Sequence, residues 1–258
     1  MSKQRPWLAA VLAMVEAAAV YRGYVRPWMY GWGATAAEAA ADLPGDELVE
    51  PDARRTTRAI GIAAPVERVW PWLAQIGEDR GGFYSYSLLE RAVGANIHNA
   101  ATVHAEWQDL RVGDTVWLAR RFGERARQVV AAVEPRSHLV LVSGADFERI
   151  ALGERATGSW SFHLLTRGAG SRLIIRGSGG AVGHAVFDVP HFIMERAMML
   201  GIRRRAERPQ AAAMVVWKGP ADAASPLPHH GAHHGATARE PLSTLGPRTR
   251  DFWLSPGW

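Results

Sequence analysis

The chain has 258 residues, 48% of them hydrophobic and 21% charged, values that exclude a mainly disordered chain, a collagen-like repeat and a polytopic membrane protein. Lys and Arg number 30 against 25 Asp and Glu, for a formal net charge of +5, too mild a balance to bind nucleic acid by bulk charge. Cysteine is absent, which removes disulfides, thiolate metal sites and a Cys nucleophile, and fits a reducing, cytoplasmic setting.

Residues 1–31 stand apart from the rest of the chain. Lys3 and Arg5 precede the apolar run 7–15, Glu16 interrupts it, 17–21 resume it, and Arg22 and Arg26 close it. Three readings compete. A spanning helix needs about 20 apolar residues, whereas this run has about 15 with a charge inside. A signal peptide fits the basic start, but Glu16 sits where small neutral residues belong. An amphipathic helix, packed on the domain or lying on a membrane, tolerates Glu16 at its polar edge. Residues 7–21 are therefore a candidate membrane contact.

Further on, 54–63 alternate in part as a half-buried strand does, and Pro65 stops the ladder and suits a helix start. Val66, Val69, Trp70, Leu73 and Ile76 stand at helical spacing. A second short helix is expected over 86–93. The period then shifts to two, and 114–119, 126–133, 139–143, 159–165 and 172–177 read as strands. The segments between them, Gly144-Ala145-Asp146 included, carry turn residues. After Pro190 a strong helix is expected from His191 to about Glu207, with Met194, Ala197, Met198, Gly201 and Ile202 on its apolar face and Glu195 largely off it. Residues 211–258 read as a disordered Pro/Gly/His-rich tail. Its stretch His229-His230-Gly231-Ala232-His233-His234 brings four imidazoles together, yet no carboxylate stands among them, and a solvated tract is the plainer reading. The order predicts an α+β fold: a curved antiparallel sheet wrapped around a long C-terminal helix, with an apolar gap between them.

Several stretches carry a resemblance: Trp32-Gly33-Ala34-Thr35, Leu43-Pro44-Gly45-Asp46, Ala64-Pro65 with Val69-Trp70-Pro71-Trp72-Leu73, Gly81-Gly82-Phe83-Tyr84-Ser85-Tyr86, Leu89-Glu90, Gln108, Val112-Gly113-Asp114 and Ser159-Trp160. In these the chain resembles the START/SRPBCC (helix-grip) superfamily, and within it the bacterial polyketide cyclase/dehydrase-like SRPBCC proteins, over about residues 32–208. The Gly-Gly-Phe-Tyr-Ser-Tyr block is the more specific match. Some members of that branch also carry an apolar segment ahead of the Trp-Gly-Ala-Thr stretch. Where that branch often has Asp and Asn, this chain has Ser87 and Arg91. The resemblance implies a helix-grip domain over 32–210 with an internal cavity and no shared catalytic motif, so it assigns no reaction.

The candidate catalytic residues are Glu90, Tyr84, Tyr86 and His98. Tyr86 and Glu90 are four apart and share a helix face, so a carboxylate raised by an apolar cavity could act as base beside a phenol donor. A structural Tyr–Glu pair at the cavity mouth is the plainer alternative. The candidate ligand wall comprises Trp70, Phe83, Tyr86, Trp107, Trp117, Trp160, Phe162, Met194 and Met198, with Arg176 as a carboxylate anchor if it points inward. His98, His104 and Glu106 lack the tight spacing of a zinc site. No metal or cofactor is expected. Arg203-Arg204-Arg205 reads as a complement to the helix dipole, and no nucleic-acid partner is expected. The function these features point to is binding of a hydrophobic or amphipathic small molecule of lipid, polyketide or isoprenoid type. The alternative is an acid–base enzyme of the polyketide cyclase/dehydratase type.

Overall fold

A computed structural model describes residues 6–86 and 97–209. The chain divides into the units Met1–Ala211 and Ala212–Trp258, and all described residues belong to the first. The helix expected over 86–93 (beyond Tyr86) and the His-rich tail lie outside the described residues.

Arg55–Ile62 (β1), Thr115–Trp117 (β2), Arg127–Glu134 (β3), His138–Ser143 (β4), Gly158–Arg167 (β5) and Gly170–Gly179 (β6) form one sheet in the order β1-β6-β5-β4-β3-β2. Every pairing is antiparallel. Strand residues alternate between two faces. On one face Ile60, Leu139, Leu141, Phe162 and Ile175 merge into the main core. On the other, Val142 joins Val49 and Ala156 in a smaller cluster. A shift of register around Ala131 bends β3.

At the N-terminus Pro6–Val20 (α1), a π-helical turn Tyr21–Val25 and Arg26–Tyr30 (α2) run on as one helical rod. Residues 7–20 are all exposed, and Glu16 is the one charge among them. The helix thus has no polar face and does not pack on the domain, which removes the packed amphipathic reading. Trp7–Tyr30 is long and apolar enough to cross a membrane by length and composition, a test that signal sequences also pass. Its last turn is fixed to the domain. Met29 is buried, Trp28 stands edge-on to Phe192 at 5.3 Å, and the Tyr30 hydroxyl donates to Asp188 Oδ2 at 2.8 Å. Ala36–Ala40 (α3) comes next, held by a capping box between Thr35 and Glu38.

Three further helices close over the faces of the sheet. Val66–Ala74 (α4) starts directly after Pro65 and drives Val69 and Leu73 into the core. Gly144–Ala151 (α5) corrects the expected turn: Ser143 caps it by accepting from the Asp146 N–H at 3.0 Å, so Gly144-Ala145-Asp146 is a first helical turn. The long helix, Ala185–Ala206 (α6), lies across the core face through Met198, Met199 and Ile202. It starts six residues earlier than His191, with Pro190 inside it. Asp188 secures that start by accepting from the Gly183 N–H at 3.1 Å. At Gly201 the main chain of another segment presses on the helix, since a β-carbon there would stand 2.2 Å from the Tyr84 carbonyl oxygen. Only glycine allows that approach.

Candidate functional site

Between the core face of the sheet and α6 lies a cavity of about 450 Å³, within the range of small-molecule sites. Phe83, Trp160, Met194 and Met198 line it, together with Ile97 and Leu118. Four sequence-predicted residues are therefore brought together, and their sulfur and aromatic surfaces make a soft, apolar wall.

The others stand elsewhere. Trp70 and Phe162 are core residues behind the wall, with Phe162 4.6 Å from the Trp160 ring. Trp107 rests on His104 at 4.4 Å, and the Trp117 ring carries the Arg120 guanidinium at 5.8 Å; neither lines the cavity. Tyr86 is 49% exposed, and His98 is exposed as well. Tyr84 is buried with its ring edge-on to Trp72 at 5.7 Å and under Arg205 at 4.5 Å. Burial pushes its hydroxyl up to about 12, against the opposing effects of Gln75 and Arg205. Tyr84 does not line the cavity, and the Tyr84–Tyr86 pair does not converge on it. Glu90 lies outside the described residues. Among the described residues no group of three or more His, Cys, Asp or Glu is placed to hold a metal ion.

Arg176 is a correction. It alternates with Ile175 on β6, so it points to the sheet face opposite the cavity. There it is fully buried and donates to the carbonyls of Glu38, Ala39 and Ala41, to Thr57 Oγ1 and to Asp46. Its donors are spent on the chain that crosses that face, and none is left for a ligand carboxylate.

A different charged cluster reaches the cavity. Arg58 on β1 and Glu195 on α6 form an ion pair of 2.6 Å with both side chains about 1% exposed. Arg58 Nε also donates to the Met29 carbonyl at 2.7 Å. The Trp160 indole donates to Glu195 Oε2 at 2.8 Å, and His191 Nε2 lies 3.6 Å from the same oxygen. Glu195 and His191 both line the cavity. Burial alone would raise the Glu195 carboxyl, but Arg58, His191 and Trp160 outweigh it and hold it below the usual carboxylate range. Burial lowers His191, with Glu195 and Asp188 opposing and Arg58 adding to the effect. The arrangement presents a carboxylate held by Arg58 and Trp160, with the His191 ring beside it, to a mainly apolar space that also meets Asp146 and several hydroxyls. Sequence reasoning missed it by placing Glu195 largely off the apolar face of the helix. The period-two pattern does place Arg58 on the face of Ile60 and Ile62, and His191 and Glu195 are one helical turn apart.

Asp146 also lines the cavity; it is buried and accepts from the Ser143 hydroxyl at 2.8 Å and from the Thr157 N–H at 2.8 Å and hydroxyl at 3.0 Å. Its oxygens are occupied, so it ties α5 to β5.

An antiparallel sheet whose first and last strands pair, closed over one long C-terminal helix with a cavity between, decides the fold. This is the helix-grip fold. No protein-family model and no curated protein matches the sequence. Similar solved structures include protein MLL2253 from Mesorhizobium loti, 16% identical over 61% of this chain and 99% of that one, TM-score 0.39. Another is the Polyketide_cyc-like protein Cgl2372 from Corynebacterium glutamicum, 15% identical over 60% of this chain and 82% of that one, TM-score 0.29. A third is Aha1 from Colwellia psychrerythraea, solved as a dimer, 15% identical over 60% of this chain and 96% of that one, TM-score 0.35. At these scores the helix-grip assignment rests on the strand order and on α6, and nothing about activity is carried across.

Proposed function

We propose that the helix-grip domain binds one hydrophobic or amphipathic small molecule, of lipid, polyketide or isoprenoid type, in the cavity beneath α6. The observation that supports this reading is the wall itself: Phe83, Trp160, Met194 and Met198 around a space of about 450 Å³, with the buried polar clusters of Glu195 and Asp146 on its lining. Such a wall suits an apolar body, and His191 and Glu195 suit its polar end. The rod Trp7–Tyr30 tethers the domain to a membrane, on its cytoplasmic side.

The test uses the full chain purified in detergent, native mass spectrometry for a copurifying molecule, and titration with a dansyl-labelled fatty acid. A saturable, stoichiometric signal that Met198→Trp abolishes by filling the cavity is the expected result. Clean apo spectra together with no saturable uptake would overturn the reading. Removal of residues 1–20, which spares the buried Met29, is expected to move the protein from the membrane fraction to the soluble one. Unchanged fractionation removes the tether.

One observation favours a second reading as an acid–base enzyme of the cyclase or dehydratase type. His191 lines the cavity with its Nδ1 3.4 Å from Arg58 Nη1 and its Nε2 3.6 Å from Glu195 Oε2, so a proton taken up or given by the ring would be shared with that network. Turnover of a polyketide-type substrate that His191→Gln abolishes while dansyl fatty-acid binding persists would establish it.

A further inference from the structure

The cavity opens beside the helix that leads out of the domain. Of its lining residues, Thr157, Gly180, Ala181 and Phe187 are exposed, and they mark a rim where the ends of β5 and β6 meet the first turns of α6. The N-terminal rod joins the domain at the same place. Arg26 donates to the Gly183 carbonyl at 3.1 Å and pairs with Asp188 at 3.2 Å, and Trp28 packs on Phe192. Between rim and rod, the outer stripe of α6 carries Val186, Val189 and Ile193, which are 91%, 37% and 41% exposed and do not line the cavity. Three stripes therefore run side by side on one helix: cavity wall, bare apolar surface, and the seat of the rod.

The length of the rod decides what covers the bare stripe. The helix Trp7–Tyr30, long and apolar enough to cross a membrane, passes through the π-helical turn Tyr21–Val25 straight into the buried Met29. The headgroup layer is itself about 5–8 Å deep on each side. No flexible linker intervenes, so a rod that spans the bilayer sets the domain directly on its surface. Arg22, Tyr24 and Trp28 at this end of the rod are exposed, the basic and aromatic residues that settle at a membrane interface.

We propose that the α6 stripe Val186–Val189–Ile193 rests in the surface of the same bilayer, so that the cavity rim faces lipid and an apolar ligand passes between bilayer and cavity without crossing water. This rests on the tether proposed above, and the experiment separates the two. The chain has no cysteine, so Val186→Cys, Ile193→Cys and Arg167→Cys each give a single labelling site for an environment-sensitive fluorophore. Arg167 is exposed at the far turn of the β5–β6 hairpin, about 30 Å along β6 from the rim. The full-length variants are reconstituted into vesicles of equal parts phosphatidylcholine and phosphatidylglycerol carrying doxyl-labelled acyl chains. Labels at 186 and 193 are expected to shift to the blue and lose most of their emission to the doxyl groups, while the label at 167 does neither. Protein that floats with the vesicles but keeps all three labels wet overturns the portal alone, and hands the stripe to a protein partner. Protein that does not float overturns tether and portal together. A second measurement tracks transfer of a dansyl-labelled fatty acid. Val186→Glu/Ile193→Glu is expected to slow loading from vesicles about tenfold, as charges leave the apolar layer, with binding in detergent unchanged. Loading at the native rate overturns the proposal.

Discussion

Two arginines, one residue out of register on neighbouring strands, are both buried and do different work. Arg176 stands opposite Thr57 on β1, and Arg58 is the next residue along that strand, so the two point to opposite faces of the sheet. Arg176 is saturated by main-chain carbonyls and Asp46 and pins residues 38–46 to the outer face. Arg58 spends its charge on Glu195, a residue whose other oxygen is reached by Trp160 and His191 at the cavity wall. Burial of a cation therefore does not mark a binding site. What matters is whether its partner touches open space.

The largest effect is expected from Arg176→Met. It leaves Asp46 and several carbonyls without a donor, and should cost about 3–5 kcal/mol in denaturant unfolding. Ligand selectivity in the surviving folded fraction should be unaltered; altered selectivity would break the division between the faces. Arg58→Met should cost about 3 kcal/mol, because Glu195 is left buried and uncompensated. Here the double variant Arg58→Met/Glu195→Leu should regain most of that stability while weakening ligands with a polar end, a pairing that no Asp46 variant of Arg176→Met reproduces.

How far the sequence reveals these faces is uneven. The alternation in β1 and the apolar spacing along α4 and α6 are readable, because burial imposes periods of two and 3.6. Phe83, Trp160, Met194 and Met198 are readable as apolar, though not as wall rather than core; Phe162, with the same pattern, lies behind the wall. Glu195 is not readable alone, since a carboxylate on a helix normally faces water, and only contact with a strand 137 residues away explains its burial. The start of α6 is hidden by Pro190, and the cap at Ser143 makes α5 resemble a turn.

Titration sharpens the contrast again. His163 shares the outer face with Arg176 and is held down to about 4, by burial first and then by His138 and Arg176, with Asp46 opposing. A folded-state value below the ordinary 6.5 gives stability that is complete above about pH 6.5 and lost as pH falls towards 4, a loss of about 2–3 kcal/mol from this group. Unfolding midpoints measured between pH 7 and pH 4.5 should flatten in His163→Asn. An unchanged slope would place the titration elsewhere. The smallest effect belongs to Ser143→Ala, about 1 kcal/mol from loss of the α5 cap, read as a shift in the same midpoint.

Gly201 has a consequence for how such a domain can diversify. At Gly201 α6, which roofs the cavity, meets the segment through Tyr84 backbone against backbone, so one seat of that roof is set by main chain and not by wall side chains. Exchanging large for small side chains on the walls then changes the outline of the guest that fits without altering how tightly the roof is seated. A family of hosts with different preferences is reachable by substitution at Phe83, Trp160, Met194 or Met198, so long as position 201 stays without a side chain.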